Sequence, residues 1–226
     1  MLQSARRTLV RGQLGLEQRE PAILDRMQQI VVVDEDVLDR FGVDTRQLVL
    51  RPARGWQPAG AGEFVDEWGI RWRPASGGRY YDMVSHPLAG ASLPEIERYP
   101  WPNPEEPARF EGLRERALSL RERGEHALVL NGFNEAFFGL PSWVRGQEEF
   151  YMDLAEGTAA AEAILDRFQD YALRLAGRAL ELVGDLVDVV RVADDLGSEL
   201  APILSPELYR ARIKPRQRAL YDLIKR

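Results

Sequence analysis

The second half of the chain alternates between helical and strand patterns, and this alternation constrains the fold more than any other feature. Amphipathic helices are predicted over residues 110–124, 134–145, 147–156 and 158–183. Two short apolar runs separate and follow them, residues 126–130 and 186–193. Helices alternating with strands at this spacing are typical of parallel β/α units. The almost continuously apolar run 186–193 predicts a strand that is buried on both faces.

The final segment predicts a helix to the end of the chain. Ser205 is its expected N-cap, Pro206 takes the first helical position, and a bend is expected at Pro215.

The first half of the chain is less regular. A helix is predicted over residues 21–29, and a second over residues 35–41, where Asp34 is the N-cap and Gly42 ends it. A short strand is predicted over residues 48–50.

Residues 53–107 differ in composition from the rest, because they are rich in Gly and Pro and hold four of the five tryptophans. Within them, residues 63–74 predict a short hairpin, and residues 79–90 and 98–107 predict irregular surface segments. We interpret residues 53–107 as an ordered insertion in a single domain that spans residues 1–226.

Composition excludes several classes of protein. The chain has no cysteine and only two histidines, His86 and His126, so it can form neither a disulfide scaffold nor a thiolate metal site. No apolar stretch approaches the ~20 residues of a membrane span, and no secretory signal is visible, so a cytoplasmic protein is expected. The net charge is −6, with basic ends of +3 (residues 1–19) and +6 (residues 209–226) around a middle of −15. An acidic middle argues against a nucleic-acid groove.

Polar residues follow the two predicted strands of the second half. Asn131, Asn134 and Glu135 come after the first of them, and Asp194 and Asp195 end the second. Because the carboxyl ends of parallel strands carry the reactive groups in β/α proteins, these residues are candidates for a site. Carboxylates there can orient a substrate, transfer a proton, or accept hydrogen bonds from the following turn.

One long segment resembles a known family. Residues 190–225, VRVADDLGSELAPILSPELYRARIKPRQRALYDLIK, resemble the uroporphyrinogen decarboxylase superfamily, in which an acidic-Gly strand end precedes a Ser-Pro helix start. Supporting matches cover most of the chain in order, at residues 36–52, 64–73, 86–104 and 142–154. The resemblance implies a (β/α)8 TIM barrel. The superfamily includes the haem-pathway decarboxylase and zinc-dependent methyltransferases that move methyl groups to or from corrinoid proteins or thiols.

The chain departs from both branches of that superfamily. The essential aspartate of the decarboxylase would fall near residues 50–52, which carry no acid, its active-site tyrosine would fall near Ser142 and Trp143, and its N-terminal arginine-rich segment has no clear match. Residues 99–104 and 194–197 resemble the methyltransferase branch more closely than the decarboxylase. The zinc ligands of the methyltransferase branch, a His-x-Cys pair and a later Cys, would lie beyond Arg226. We therefore expect an incomplete barrel, the N-terminal part of a longer one.

Three functional hypotheses follow from the resemblance, and whether this chain is itself an enzyme stays open. The first is corrinoid-linked methyl transfer by the complete protein, with Asp194 and Asp195 as catalytic residues. Substrate-binding residues are then expected at four positions: Asn131, Asn134, Glu135 and Arg145. The second is uroporphyrinogen decarboxylation in porphyrin biosynthesis, and the third is a non-catalytic half-barrel that pairs with another chain.

These hypotheses carry expectations about cofactors and partners. No metal or cofactor is expected within this chain, although zinc is compatible with a full-length version. The expected partners are a small-molecule substrate and a corrinoid protein or second half-barrel, with homo-oligomerisation compatible. Neither nucleic acid nor a membrane is expected.

Overall fold

The structure is a computed structural model that describes residues 10–17, 19, 23–25, 30–54, 62–76, 80–124 and 126–226. The chain divides into two compact units. The first comprises residues 1–44, 58–66 and 71–85, and the second comprises residues 45–57, 67–70 and 86–226. The segment 53–107 is thus shared between the two units.

In its described residues, the first unit contains short strands, a short helix over residues 35–40 and helical residues at 10–13. Its elements are β1 (Ile23–Asp25), β2 (Ile30–Val31), α1 (Glu35–Arg40), β4 (Phe64–Val65), β5 (Arg71–Pro74) and β6 (Tyr81–Ser85). The helix predicted over residues 35–41 is confirmed, with Asp34 at its N-cap. The helix predicted over residues 21–29 is wrong at residues 23–25, which form β1 and pair antiparallel with β2; its other residues lie outside the described part.

A buried arginine holds the start of α1. The guanidinium of Arg11, which is fully buried, donates to Asp34 at 2.7 Å and to Asp36 at 2.8 Å. The carboxylates of the N-cap Asp34 and of Asp36 in the first turn therefore both pair with an arginine of the chain.

The predicted hairpin is confirmed and has a third strand. β4 pairs antiparallel with β5, and β5 pairs antiparallel with β6. Trp72 of β5 is buried, and its indole N–H donates to Asp66 at 2.8 Å. β6 corrects the prediction of an irregular segment over residues 79–90, because residues 81–85 alternate between half-buried and exposed positions, as in a strand with one covered face.

The second unit contains a parallel sheet with helices. Its elements are β3 (Thr45–Val49), α2 (Leu93–Arg98), a 3₁₀ turn (Pro107–Phe110), α3 (Leu113–Glu122), β7 (Ala127–Asn134), α4 (Gly139–Arg145), α5 (Gln147–Glu156), α6 (Ala159–Val183), β8 (Val189–Ala193), α7 (Pro206–Leu208), a π-helical turn (Tyr209–Ile213) and α8 (Lys214–Ile224). The strand order is β3-β7-β8, and both pairs are parallel. The predicted parallel β/α arrangement is confirmed, whereas a closed eight-stranded barrel is not seen among the described residues.

The core of the second unit is built on α6. The hydroxyl of Thr158 caps this helix by accepting from the N–H of Ala161 at 3.2 Å. Its buried positions recur every three or four residues and include Ile164, Phe168, Ala172, Leu175 and Ala179. Trp68 stacks on the ring of Phe168 with centroids 4.8 Å apart. Part of the aromatic content of segment 53–107 therefore belongs to this core.

The C-terminal helices begin as predicted. The Ser205 hydroxyl accepts from the N–H of Leu208 at 3.2 Å, and Pro206 occupies the first turn. The irregularity expected at Pro215 is a π-helical turn in the residues just before it. Proline has no N–H to donate to the preceding turn, which accounts for a local change in hydrogen bonding there.

The two later strands differ from their predictions. The strand predicted over 186–193 begins only at Val189, and it is not buried on both faces: Val189 is 49% exposed and Arg191 is exposed. β7 continues through Asn134 rather than ending at residue 130. The prediction ended the strand before Asn131 and started a helix at Asn134, whereas the observed helix α4 begins only at Gly139. Pairing with both neighbouring strands keeps this polar stretch extended.

Candidate functional site

The carboxyl ends of β7 and β8 bring the two predicted acidic segments together. Asn134 at the end of β7 is the register partner of Ala193 at the end of β8. The N–H of Glu135 donates to the carbonyl of Ala193 at 2.7 Å, which extends the pairing by one residue. Glu135 and Asp194 therefore follow directly from neighbouring strand ends, as expected for functional groups of a parallel sheet.

Asp194 is anchored by backbone N–H groups. Its Oδ2 accepts from Phe137 at 2.9 Å, and its Oδ1 accepts from Phe138 and Gly139, each at 3.1 Å. These donors lie at and just before the start of α4, where N–H groups have no partner within the helix. The carboxylate of Asp194 thus caps this helix from a distant part of the chain.

Glu135 lies over the same helix start. Its φ is +57°, a left-handed conformation that non-glycine residues adopt only in special turns. Its Oε2 accepts from the N–H of Asp195 at 3.2 Å. A Cβ atom on Gly139 would lie 2.8 Å from the Cβ of Glu135, so only glycine leaves room for this carboxyl.

The carboxyl groups of Glu135 and Asp194 lie close together, and a proton on one of them relieves the repulsion between their charges. Burial raises the pKa of Glu135 to about 7, and the nearby charges of Asp194 and Asp195 add to that effect, whereas the N–H of Asp195 opposes it. Burial also raises the pKa of Asp194, against the three N–H donors that favour its charged form. Because Asp194 accepts three such bonds and Glu135 accepts one, the shared proton resides mainly on Glu135.

The other predicted residues near these strand ends differ in environment. Asp195 is exposed. Asn134 is also exposed, and its Oδ1 accepts from the Arg191 guanidinium at 3.5 Å. Asn131 is only 7% exposed, and its Oδ1 has no hydrogen-bond partner among the described residues.

Arg145 lies apart from the carboxyl pair, at the end of α4. Its guanidinium donates to Asp153 at 2.9 Å and to the carbonyls of Leu88 and Ala91 at 2.8 and 2.7 Å. It also pairs with Glu149 at 2.9 Å. All of these partners belong to the protein, so a substrate would have to displace one of them to bind Arg145.

An open depression of about 600 Å³ borders Arg145. It is lined by His86, Gly146 and the residues of α5, and it does not include Glu135 or Asp194. The ring of His86 is held there by its Nδ1, which lies 2.7 Å from the carbonyl oxygen of Trp143. This fixes Nδ1–H as the donor, because a carbonyl can only accept.

Sequence reasoning missed two residues of the site. One is Gly139, which makes room for Glu135. The other is Tyr221 of α8, whose pKa is raised by burial and, to a smaller extent, by the nearby groups Tyr209 and Asp194. The helix predicted over residues 134–145 begins at Asn134, whereas α4 begins at Gly139 after Phe138, which offers no side-chain cap, so no local pattern identified Gly139. No local pattern identifies Tyr221.

The described residues contain neither a metal-binding cluster nor a membrane-spanning helix. In that part of the chain, no three or more His, Asp or Glu side chains cluster closely enough to hold a metal ion. The thiolate zinc site of the methyltransferase branch also lacks its cysteines, so the residues present do not fit that metal. Across the same described ranges, no helix is long and apolar enough to cross a membrane.

The fold of the chain is similar to that of a methyltransferase of known structure. No family model matches the chain, and no curated protein matches it. Among solved structures, the chain is similar to a methyltransferase from Methanosarcina mazei, with a TM-score of 0.51 and 17% sequence identity. The match covers 83% of this chain and 50% of the methyltransferase, so the chain spans about half the length of that protein. At this identity the likeness concerns the fold.

Proposed function

We propose that the chain takes part in methyl transfer from a small methylated substrate to a corrinoid, and that the Glu135–Asp194 carboxyl pair forms part of the site. The observation that carries this proposal is a carboxyl group that can gain or lose a proton near neutral pH. It lies at the carboxyl ends of parallel strands, in a fold similar to that of a methyltransferase. With a pKa of about 7, Glu135 is present in both protonation states at neutral pH, which suits a group that donates and accepts protons.

Each side chain has a distinct task in this proposal. Asp194, held by three N–H groups, stays ionised and fixes the position of Glu135. Glu135 supplies a proton to the group from which the methyl is removed. Asp195 is exposed at the same strand ends and contributes negative charge there. None of these steps uses a metal ion held by this chain.

The test is methylcobalamin formation. The chain is mixed with reduced cobalamin and, in turn, with methanol, methylammonium and dimethyl sulfide, and the product is followed by its absorbance and by mass spectrometry. We expect turnover with at least one donor and a loss of roughly 10²-fold or more in Glu135→Gln, since general acid catalysis contributes about 10²–10⁴-fold. A folded wild-type chain that forms no methylcobalamin with any donor contradicts the proposal.

The matched control is Glu148→Gln. Glu148 is an exposed glutamate on α5, so the same change of side chain there removes one negative charge without touching the carboxyl pair. Its rate should equal that of the wild type. Equal losses in both variants would indicate a general effect of charge rather than proton transfer by Glu135.

The pairing hypothesis has its own support in the open face of the parallel sheet. Val49 and Val189 are 36% and 49% exposed on it, whereas parallel sheets are normally covered on both faces. We propose, as a second candidate, that another half-barrel covers this face. If the half-barrel is a second copy of this chain, sedimentation velocity should show a dimer that forms between low and high micromolar concentration. A chain that stays monomeric at every concentration contradicts pairing between two copies.

The tetrapyrrole hypothesis has weaker support from the side chains. Arg51 and Arg145 are the basic residues that this hypothesis would use to bind carboxylates. Arg145 is fully engaged by protein groups, and Arg51 pairs with Glu111 at 3.1 Å. It stays a prediction, and binding of a porphyrinogen that weakens in Arg51→Ala would support it.

A further inference from the structure

The open depression beside Arg145 takes no part in the proposed methyl transfer. Its volume of about 600 Å³ lies within the range of about 300–1,000 Å³ that small-molecule sites occupy. Neither Glu135 nor Asp194 lines it, and all of its lining residues belong to the second unit. A ligand bound there is therefore distinct from a substrate held at the carboxyl pair.

Three of the charged groups in the wall of the depression are already satisfied by the protein. Arg145 pairs with Glu149 and with Asp153, each at 2.9 Å. Glu149 also accepts from the N–H of Gly90 at 2.9 Å, and the hydroxyl of Thr158 donates to Asp153 at 3.0 Å. Arg145 is the only guanidinium or ammonium group among the described residues that line the depression, so an anionic ligand finds no free cation there.

His86 provides a hydrogen-bond acceptor at the start of α5. Its Nδ1–H donates to the carbonyl of Trp143 at 2.7 Å, and a neutral ring that donates through Nδ1 carries a lone pair on Nε2. The ring lies beside Gly146, the residue before α5, where a Cβ atom would be 3.6 Å from the Cδ2 of His86. In the part of the chain that the structure describes, Nε2 has no hydrogen-bond partner. It is therefore available to accept from a ligand in the depression.

An available carboxylate lies at the other end of α5. Glu156 is the last residue of this helix and is exposed, and no donor to its carboxylate is found among the described residues. Met152, one turn earlier on the same face of the helix, is 57% exposed. The depression thus has an acceptor at each end of α5 and an apolar thioether between them.

The wall as a whole attracts cations. Four carboxylates and one guanidinium line it, so its net charge is negative. The ten residues of α5 make a helix about 15 Å long, and side chains that lean inward bring the two end acceptors closer together than that. A metal ion does not fit, because no three or more His, Asp or Glu side chains of the described residues cluster closely enough to hold one. An elongated organic cation fits both the charge and the spacing.

We propose that this depression binds a linear aliphatic polyamine. One terminal ammonium donates to Nε2 of His86, the other pairs with the carboxylate of Glu156, and the methylene chain between them covers Met152. Ammonium groups have donors and no acceptor, so they match the two end acceptors of the depression. A short amine, or one with a single ammonium, reaches only one of these acceptors and binds less tightly.

Isothermal titration calorimetry of the full chain with spermidine, putrescine and n-butylamine tests this assignment. The pH is about 8, where a typical imidazole is neutral and alkylammonium groups are charged. Spermidine should bind saturably. Putrescine and n-butylamine should each bind at least about 10-fold more weakly, because a hydrogen bond to a charged group contributes about that factor or more. No saturable heat with spermidine, or equal affinities for the three amines, overturns the proposal.

Two substitutions test the two acceptors. His86→Asn keeps an amide N–H in place of Nδ1–H and removes Nε2, so spermidine should bind about 10-fold more weakly. Glu156→Gln keeps the shape of the side chain and removes its charge, which should weaken binding by about 2–5-fold, as for an exposed ion pair. Because Glu156 is exposed, this second variant carries the test if His86→Asn does not fold.

The matched control is Glu122→Gln. Glu122 is an exposed glutamate that ends α3 as Glu156 ends α5, and it does not line the depression. Its variant should bind spermidine as tightly as the wild type. Equal losses in Glu122→Gln and Glu156→Gln would show attraction to the overall charge of the chain and would overturn the proposed site.

NMR of the histidine rings provides a second, independent measurement. The chain has two histidines, His86 and His126, so a chain labelled with ¹⁵N at these rings gives two sets of signals, and those of His86 disappear in His86→Asn. Spermidine should shift the Nε2 signal of His86 saturably and leave His126 unchanged, because His126 does not line the depression. Any other pattern of shifts would place the amine elsewhere and overturn the proposal.

Discussion

Replacing Glu135 by glutamine should stabilise the folded chain at high pH and leave its stability unchanged at low pH. The carboxyl is half-buried beside Asp194, and its pKa is raised from 4.5 to about 7, first by burial. Because the folded pKa lies above the unfolded one, the stabilisation from protonated Glu135 is complete below the unfolded pKa. It is lost as the pH rises through about 7. Glutamine mimics the protonated form and does not titrate.

The magnitude follows from the size of the shift. Each pKa unit corresponds to about 1.4 kcal/mol, which gives an upper limit of about 3 kcal/mol. Glu135 is only partly buried, and solvent screening reduces this to about 1–2 kcal/mol. We therefore expect Glu135→Gln to equal the wild type at pH 4.5 and to exceed it by about 1–2 kcal/mol at pH 8.5, or about 2–8 °C in melting temperature.

The assay is thermal unfolding followed by far-ultraviolet circular dichroism at both pH values, with Glu148→Gln as the matched control. Comparing variants at the same pH cancels the contribution of all other titrating groups. A variant that is less stable than the wild type at pH 8.5, or that differs equally at both pH values, would refute the assignment of the shared proton to Glu135.

Three further substitutions test the surroundings of the site by urea unfolding. Gly139→Ala should destabilise the chain by about 1–3 kcal/mol, because the new methyl group overlaps Glu135; an unchanged midpoint would show that the carboxyl can move away. Asp194→Ala should cost about 2–3 kcal/mol, because three N–H groups lose their acceptor, and a loss under 0.5 kcal/mol would argue against the cap. Arg145→Ala should cost about 3–5 kcal/mol through unpaired buried groups, whereas a substrate-binding arginine without structural bonds would change stability little.

Local patterns predicted the elements whose stability is itself local. The 25-residue helix α6 was predicted within a residue of its observed bounds because its apolar spacing and its Thr158 cap are adjacent in sequence. The hairpin β4–β5 was predicted for the same reason. β6 was missed, since its pairing with β5 depends on a partner strand rather than on its own residues.

The candidate site was predictable in part. Parallel strand ends predicted that residues near Glu135 and Asp194 would meet, and the structure brings them together. Arg145 was grouped with them although it lies apart, because the direction of a buried side chain depends on its neighbours in space.

The sequence by itself determined the order of helices and parallel strands in the second unit, and the lack of cysteine that excludes a thiolate metal site. These properties depend on residue type and spacing alone. Only the tertiary structure decided that Asp194 caps α4, that Asn131 is buried, and that the pKa of Glu135 is raised to about 7. The physical reason is that desolvation, charge proximity and hydrogen-bond satisfaction are set by groups distant in the chain, which meet only when β7 and β8 pair.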